Sequence, residues 1–318
     1  MNIDYDSLFH RPVLYHEIIH ALQPKEKGLY IDCTLGAGGH AWGILDASSP
    51  SGKLLGLEVD PQVLIIAKER LAAFGSRAII VQASYVTLTQ QLSNVGWAKV
   101  DGIILDLGVS SLQLDTPERG FSFRYDAPLD MRFDPSNPVT AEDIVNSFSE
   151  KELADMLYQY GEEKKSRQIA RLIIASRPIL STGQLAEIAT RAIGKTKRSY
   201  RWTSIHPATR TFQALRIAVN KELDALEKVL PQAVNALTPH GRLAVISFHS
   251  LEDRIVKDFF RRESKDCICP PKQPQCTCDH HAKIIEITRH PIMPTLEEKE
   301  KFPRSRSAKL RVAQKLDQ

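Results

Sequence analysis

Residues 28–40 read Gly-Leu-Tyr-Ile-Asp-Cys-Thr-Leu-Gly-Ala-Gly-Gly-His, and they are the strongest indication of the fold class in this chain. The segment from Gly28 to Cys33 is a short apolar run that predicts a buried strand. Glycines at positions 36, 38 and 39 follow it closely. They let the backbone approach a ligand, and the start of the next helix offers unpaired N–H groups to an anionic group. A tight turn without any ligand is the alternative explanation for these glycines.

Strands and helices continue to alternate over the first hundred residues. Three further short runs predict strands, at 53–59, 78–82 and 100–107. Between the first two of these runs, Asp60 to Phe74 repeats apolar positions at helical spacing and begins with a capping Asp and a first-turn Pro. This alternation predicts an α/β fold with a mostly parallel sheet covered by helices on both faces. Because such sheets bind ligands at the carboxyl ends of their strands, functional residues are expected there.

The alternation stops after Asp106, and three helical patterns without a buried strand follow it, at 141–160, 164–175 and 182–193. Strand patterns resume after a long amphipathic stretch over 207–237, and they lie at 242–248, 283–288 and 309–314. The sequence therefore predicts one α/β domain interrupted by a helical insertion. The expected limits are 1–113 for the first part of the domain, 114–205 for the insertion and 206–318 for the second part.

Composition excludes several classes of protein. With 318 residues, 42% apolar and 25% charged, the chain matches soluble globular proteins and is too long to depend on disulfide bonds. It contains no apolar run of about 18 to 20 residues, the length that spans a bilayer. The first six residues are too polar and acidic for a signal peptide. We therefore expect a cytoplasmic protein.

Basic residues are concentrated in two segments, although the net charge is only +4. Residues 187–216 carry seven Lys or Arg against one Glu, and the last twenty residues carry seven basic groups against two acidic ones. Dense basic segments are commonly solvated surfaces. Two of them in one chain also indicate an anionic partner, such as a nucleic acid.

The second and third predicted strands end in residues suited to a nucleoside-containing cofactor. Glu58 follows Gly36 by twenty-two residues, a spacing at which an acid can accept hydrogen bonds from ribose hydroxyls. This feature suits NAD and S-adenosylmethionine equally. Tyr85 follows the third strand and can form a wall against an adenine ring. Its alternative role is that of a half-buried core aromatic.

The fourth and fifth predicted strands end in candidate catalytic and substrate residues. Asp106 can hold an ammonium group or accept a proton at the sheet edge, or it can serve as a structural cap. His249 is a candidate catalytic or substrate-contacting residue, although a histidine at a strand end is often a hydrogen-bonding residue without catalytic function. Arg210 and Arg216, near the start of the long amphipathic stretch, have the charge to bind phosphates.

Four cysteines lie within twelve residues, at Cys267, Cys269, Cys276 and Cys278. Four thiolates so close together can complete a tetrahedral zinc site, although most structural sites space each pair by two or more residues. The alternative is a reduced cluster without metal on a surface loop. No partner base can be identified for a catalytic thiol.

Taken together, these motifs resemble the bacterial 16S ribosomal RNA cytosine-N4 methyltransferase family (RsmH, also called MraW). The resemblance extends over nearly the whole chain. It rests on the segments His16-Glu17, Ile31 to His40, Asp106 to Ser111, Glu118 to Phe123, Pro128 to Arg132, Tyr160 to Glu163, His206 to Arg216, Ser247 to Arg254 and Arg304 to Arg311.

The resemblance implies a class I S-adenosylmethionine-dependent methyltransferase fold, Rossmann-like, with a seven-stranded sheet. It also implies methylation of the exocyclic N4 of a cytidine in the decoding region of 16S ribosomal RNA, with that RNA or the small ribosomal subunit as partner and no DNA or membrane. The implied cofactor-binding residues are Gly38, Gly39, His40, Glu58, Tyr85, Asp106 and Gln113. The glycine loop adds Gly36 to the expected cofactor site. We expect the RNA to contact Arg210, Arg216, Ser247, His249 and Arg254.

Two cofactor positions depart from common family forms, because Glu58 stands where Asp is frequent and Tyr85 where Phe occurs. Both keep the required chemistry. Asp106 is expected either to accept a hydrogen bond from the cytosine amine or to hold the amino end of the cofactor. Two other classes of function stay open, an NAD-dependent dehydrogenase and an RNA-binding assembly factor without catalytic activity.

Overall fold

The computed structural model describes residues 12–194, 206–270, 273 and 275–317. Within them the chain forms two compact units. The first unit takes the residues up to 108 together with those from 223 onward, and the second takes residues 109–222. The domain limits expected from the sequence, 1–113, 114–205 and 206–318, differ from this division by a few residues to less than twenty, and they stay a prediction.

A seven-stranded sheet forms the centre of the first unit, with the strand order β3-β2-β1-β4-β5-β7-β6. The first five strands in this order are parallel, and β7 runs antiparallel to both of its neighbours. This arrangement confirms the predicted α/β fold with a mostly parallel sheet. The strands are β1 (Leu29–Asp32), β2 (Lys53–Glu58), β3 (Ala78–Gln82), β4 (Val100–Asp106), β5 (Leu237–Ser247), β6 (Ile284–Glu286) and β7 (Lys309–Lys315).

Helices cover both faces of this sheet. Successive strand residues point to opposite faces, so Ile31 and Leu55 join one buried cluster while Tyr30 and Leu54 join another. The near-continuous burial of the central strands is what a parallel sheet covered on both faces requires. The helices are α1 (Tyr15–Leu22), α2 (Gly39–Ala47), α3 (Pro61–Leu71), α4 (Leu88–Asn94), α11 (Glu222–Ala236, beginning at the last residue of the second unit), α12 (Ser250–Glu263) and α13 (Leu296–Lys301).

The second unit is helical and has its own buried core. The patterns over 164–175 and 182–193 are confirmed as helices, whereas the predicted single helix over 141–160 is wrong. The first helix ends at Ser147, and a second helix begins after Ser149. The Ser149 side chain caps this second helix by accepting a hydrogen bond from the Glu152 N–H. The helices are α5 (Ser111–Asp115), α6 (Ala141–Ser147), α7 (Glu150–Gly161), α8 (Ser166–Ala175), α9 (Thr182–Ile193) and α10 (Thr209–Asn220).

The amphipathic stretch over 207–237 forms two helices, α10 and α11. Lys221 separates them with a backbone φ of 50°, a left-handed conformation that a continuing helix cannot contain. In the part of the chain that the structure describes, no helix is long and apolar enough to cross a membrane.

The basic segment at the end of the chain includes an inner strand of the sheet. Arg311 and Lys315 of β7 are largely buried. The Nε of Arg311 lies 2.6 Å from the Asp253 Oδ1, and the Nζ of Lys309 lies 3.1 Å from the Asp253 Oδ2. The interpretation of the last twenty residues as a basic segment that meets solvent or an anionic partner is therefore wrong for Arg311, because Asp253 of α12 already neutralises its charge.

Gly120, which follows a short helical turn, offers a test of packing in the second unit. Its φ is +69°, and a Cβ there would lie 2.4 Å from the Pro128 carbonyl oxygen. We expect Gly120→Ala to lower the free energy of unfolding by about 3 kcal/mol or more, because overpacking adds to the conformational penalty. Gly96→Ala is the control, since Gly96 has a φ of +72° but open space around it. This variant should lower the free energy of unfolding by only about 1 kcal/mol. Equal losses for the two variants in thermal and urea denaturation would contradict this packing.

Candidate active site

The glycine loop between β1 and α2 leaves its backbone accessible. Gly36 and Gly38 have φ values of +53° and +79°, so side chains at these positions would be strained. The nearest atom to a Cβ built at Gly36 is the Thr34 carbonyl oxygen, 3.9 Å away, and this side of the loop is therefore open. Gly38 precedes the first turn of α2 and provides no side-chain cap, and Gly39 begins the helix.

Glu58 at the end of β2 is held by backbone amides. Its Oε2 accepts a hydrogen bond from the Gly36 N–H at 2.9 Å, and its Oε1 accepts from Val59 and Asp60, both at 2.9 Å. Burial raises the pKa of this carboxyl, and the amide hydrogen bonds act in the opposite direction. These hydrogen bonds join the glycine loop to the end of the second strand. The spacing in the sequence predicted a ribose-binding role for Glu58, and that role stays a prediction.

Asp32 at the end of β1 is a buried acid. Only 1% of its surface is exposed, its Oδ1 accepts a hydrogen bond from the Thr34 N–H at 3.1 Å, and its Oδ2 has no hydrogen-bond partner among the described residues. Burial raises the pKa of Asp32 to about 7, and the neighbouring His40 partly opposes the shift. An unpaired carboxylate oxygen in this position is costly unless a ligand or a proton satisfies it.

Asp106 at the end of β4 is placed by Thr34, whose hydroxyl accepts a hydrogen bond from the Asp106 N–H at 2.6 Å. The Oδ2 of Asp106 lies 3.5 Å from the Nε2 of His40, and its Oδ1 is buried without a hydrogen-bond partner among the described residues. The His40 ring is itself buried and stacks on Tyr15, with ring centroids 6.5 Å apart. The site therefore contains an uncommitted acceptor oxygen beside an imidazole.

These contacts bring together most of the cofactor residues that the sequence suggested for the first unit, namely Gly36, Gly38, Gly39, His40, Glu58 and Asp106. Three carboxylates at one sheet edge can accept hydrogen bonds from hydroxyls and can attract a cationic group. Asp32 and Thr34 lie within the segment 28–40, but no role in the site was predicted for either of them. The signal for Asp32 is its position as the last residue of a central strand, where a carboxylate meets the ligand edge.

Tyr85 begins a single helical turn just after β3, and the Ser84 side chain caps this turn. The Tyr85 ring is partly buried and packs against the core cluster of the first unit. Its role as a wall of the cofactor pocket stays a prediction. Gln113 lies in α5 of the second unit, where it is buried and forms a reciprocal capping box with Ser110. Its proposed cofactor contact is likewise untested.

The predicted RNA-contacting residues of the first unit lie at and after the end of β5. Ser247 is buried, and its hydroxyl lies 3.4 Å from the Lys309 carbonyl oxygen. His249 caps α12, with its Nδ1 accepting from the Glu252 N–H at 3.4 Å and its Nε2 3.0 Å from the Glu252 Oε1. The cap gives His249 a structural role besides the predicted one. Arg254 is exposed on α12.

In the second unit, the two predicted phosphate-binding arginines differ in their surroundings. Arg216 forms a paired contact with Glu222, with N···O distances of 2.8 and 3.0 Å, and its side chain is 17% exposed. Arg210 is exposed, and one of its N–H groups donates to the Glu162 carbonyl oxygen at 3.3 Å. Arg210 is therefore better placed to meet a phosphate. The basic residues at positions 195–201 lie outside the described residues.

Comparison with known proteins gives a match over nearly the whole chain. The sequence profile described as the MraW methylase family matches residues 7–316. A relative from Dehalococcoides mccartyi strain BAV1 is 50% identical over 307 residues, covering 96% of this chain and 86% of the relative. Relatives from Heliobacterium mobile (49% identical, covering 96% and 99%) and Thermomicrobium roseum (47% identical, covering 98% and 94%) are similar too. All three are named ribosomal RNA small subunit methyltransferase H.

The buried Asp32 predicts a specific pH dependence of stability. Its pKa is about 7 in the folded protein and near 3.8 when unfolded, so the folded state binds the proton more tightly. Stability must therefore fall as pH rises from about 4 to 7, by up to about 4 kcal/mol for this group. Asp32→Asn cannot ionise, and we expect it to lose this part of the decline in urea denaturation at pH 5 and pH 8 without ligand.

Asp46→Asn is the matched control, because Asp46 is exposed on α2. It should keep the pH dependence of the unmodified protein. If the stability of Asp32→Asn falls with pH as steeply as the stability of this control, ionisation of Asp32 does not cause the decline.

Proposed function

The chain belongs to the MraW methylase family, and from this premise we propose that it methylates small-subunit ribosomal RNA with S-adenosylmethionine as donor. The target we propose is the exocyclic N4 of a cytidine in the decoding region of 16S RNA, and the place of action is the cytoplasm. The strongest support for this function is the family match across residues 7–316. The carboxylates and glycines at the sheet edge support it independently.

The site residues fit the proposed cofactor. S-adenosylmethionine carries an ammonium group and ribose hydroxyls, and the unpaired oxygens of Asp32 and Asp106 are acceptors of the matching charge. Glu58 would accept hydrogen bonds from the ribose hydroxyls. The open space beside Gly36 would let the ligand approach the backbone closely. When bound, this cofactor supplies a methyl group that its sulfonium makes electrophilic.

The protein must then orient the cytosine amine that receives the methyl group, and it must exclude water. The N4 lone pair of cytosine is delocalised into the ring, so an acceptor that binds its N–H makes the nitrogen more nucleophilic. Asp106 is our candidate for this acceptor, because its Oδ1 is buried and has no hydrogen-bond partner among the described residues. The alternative role for Asp106 is to hold the amino end of the cofactor.

Recognition of the RNA depends on charge and on access to the base. The target base must leave its stack to reach a pocket, which favours a single-stranded target or one presented by a folded RNA. Exposed arginines such as Arg210 and Arg254 would bind phosphates of the RNA, so we infer that binding weakens as the salt concentration rises.

The role of Glu58 can be tested by calorimetric titration with S-adenosylmethionine. We expect Glu58→Ala to weaken binding by about 10- to 100-fold, because a charge-assisted hydrogen bond is lost. Glu58→Asp keeps a carboxylate and should lose much less. Thermal denaturation of each variant separates lost binding from lost folding. NAD should produce no binding heat, and tight binding of NAD instead would favour the dehydrogenase alternative.

The reaction itself can be tested with labelled methyl donor and small ribosomal subunits from a strain that lacks this family's enzyme. Mass spectrometry of the digested RNA should find N4-methylcytidine, and a methyl group on another base would contradict the proposed target. We expect Asp106→Asn to lower kcat by about 100-fold or more. The matched Asp46→Asn variant should behave like the unmodified enzyme.

The kinetic constants distinguish the two roles of Asp106. A fall in kcat with unchanged KM for the cofactor supports the acceptor role, whereas a rise in that KM supports a role in holding the amino end. Full activity of Asp106→Asn would exclude both roles. A folded protein that binds RNA but transfers no methyl group to any RNA would favour the assembly-factor alternative.

A further inference from the structure

A cluster of four thiols lies in the loop between α12 and β6, within the first unit. The Sγ atoms of Cys267, Cys269, Cys276 and Cys278 all lie within 4.8 Å of one another. The Cys276 and Cys278 sulfurs are 3.6 Å apart, and those of Cys267 and Cys278 are 3.9 Å apart. Methyl transfer as proposed above makes no use of this cluster.

The sulfur separations match a single tetrahedral metal ion. A disulfide would require about 2.05 Å between two sulfurs, and all four of these cysteines are free thiols. Four sulfurs bonded to zinc at about 2.3 Å lie at the corners of a tetrahedron whose edges measure about 3.8 Å. A polynuclear iron–sulfur cluster would hold its thiolates farther apart, because several metal atoms lie between them. We propose that these four cysteines bind one zinc ion.

Backbone amides surround the sulfurs in the way that metal-bound thiolates require. The N–H groups of Ile268, Cys269 and Thr277 point at the sulfurs of Cys278, Cys267 and Cys269, each at 3.4 Å. Such donors stabilise the negative charge of a thiolate and orient it toward the metal. The short Cys-x-Cys spacing is therefore compatible with a site, because each intervening residue, Ile268 and Thr277, presents its amide to a sulfur.

The metal would have a structural role. Four protein ligands complete a tetrahedral coordination sphere and leave no position for water or substrate. The described part of 264–283 contains no helix or strand, and Ile268 within it is 44% exposed, so little apolar burial is available to order the loop. The ends of the loop meet where the Lys283 N–H donates to the Glu263 carbonyl oxygen at 2.8 Å. The zinc ion would hold the interior of this closed loop.

Metal analysis of the purified full-length chain tests the proposal directly. Metal-free protein is loaded with zinc under reducing conditions, dialysed, and measured by plasma mass spectrometry. We expect one zinc ion per chain. Cys276→Ser should weaken zinc binding by at least about 100-fold, since removing even an outer-shell partner of a zinc ligand costs about 10- to 100-fold. Cys33→Ala is the control, because Cys33 is a buried cysteine outside the loop and its loss should leave the zinc content unchanged.

A second measurement reports on the loop without involving catalysis. Removing zinc with a chelator should speed tryptic cleavage after Lys265 and Lys283, the basic residues that flank the cluster, and cobalt loading should give the visible absorption of tetrahedral thiolate coordination. Less than one zinc ion per chain after loading, or zinc retained by Cys276→Ser, would overturn the proposal. Both readouts are independent of methyl transfer, so failure here is distinguishable from failure of the proposed function.

Discussion

The position of β1 between two parallel neighbours is the constraint on which the site depends. β1 pairs with β2 on one side and β4 on the other, so their last residues, Asp32, Glu58 and Asp106, must meet at one edge. Like charges so close together are unfavourable in isolation. Amide donors stabilise Glu58, the imidazole of His40 lies beside Asp106, and burial favours a proton on Asp32. A cationic ligand, such as the proposed cofactor, would complete the compensation.

Local patterns were sufficient to predict the sheet and part of the site. The first four strands, the glycine loop and the acid at the second strand end all have signals within one or two dozen residues. The hydrogen bond from the Gly36 N–H to Glu58 was not predicted. The burial of Asp32 could not be predicted in this way, because it depends on which strands flank β1. The break at Ser149 was missed because an apolar period continues through it, while the capping hydrogen bond that ends the helix is a three-dimensional feature.

Pairing between distant residues accounts for the error at the basic end of the chain. Lys309 and Arg311 have the composition of a solvated tail, yet they belong to an inner strand and neutralise Asp253, which precedes Arg311 by 58 residues. A buried charge is acceptable only with such a partner, and no local pattern identifies the partner. The same contact connects two of the segments on which the family resemblance rests, 247–254 and 304–311. Their joint presence thus has a structural basis in addition to any role in RNA binding.

The discontinuity of the first unit has a consequence for how the protein emerges from the ribosome. β4 ends at Asp106 and its neighbour β5 begins at Leu237, so 130 residues separate the two strands in the chain. At translation speeds of about 5 to 20 residues per second, the nascent β4 waits roughly 6 to 26 seconds for this partner. The helical unit is continuous in the chain and can condense during that interval. Until β5 arrives, the open edge of β4 is a place where chaperones or neighbouring nascent chains can attach.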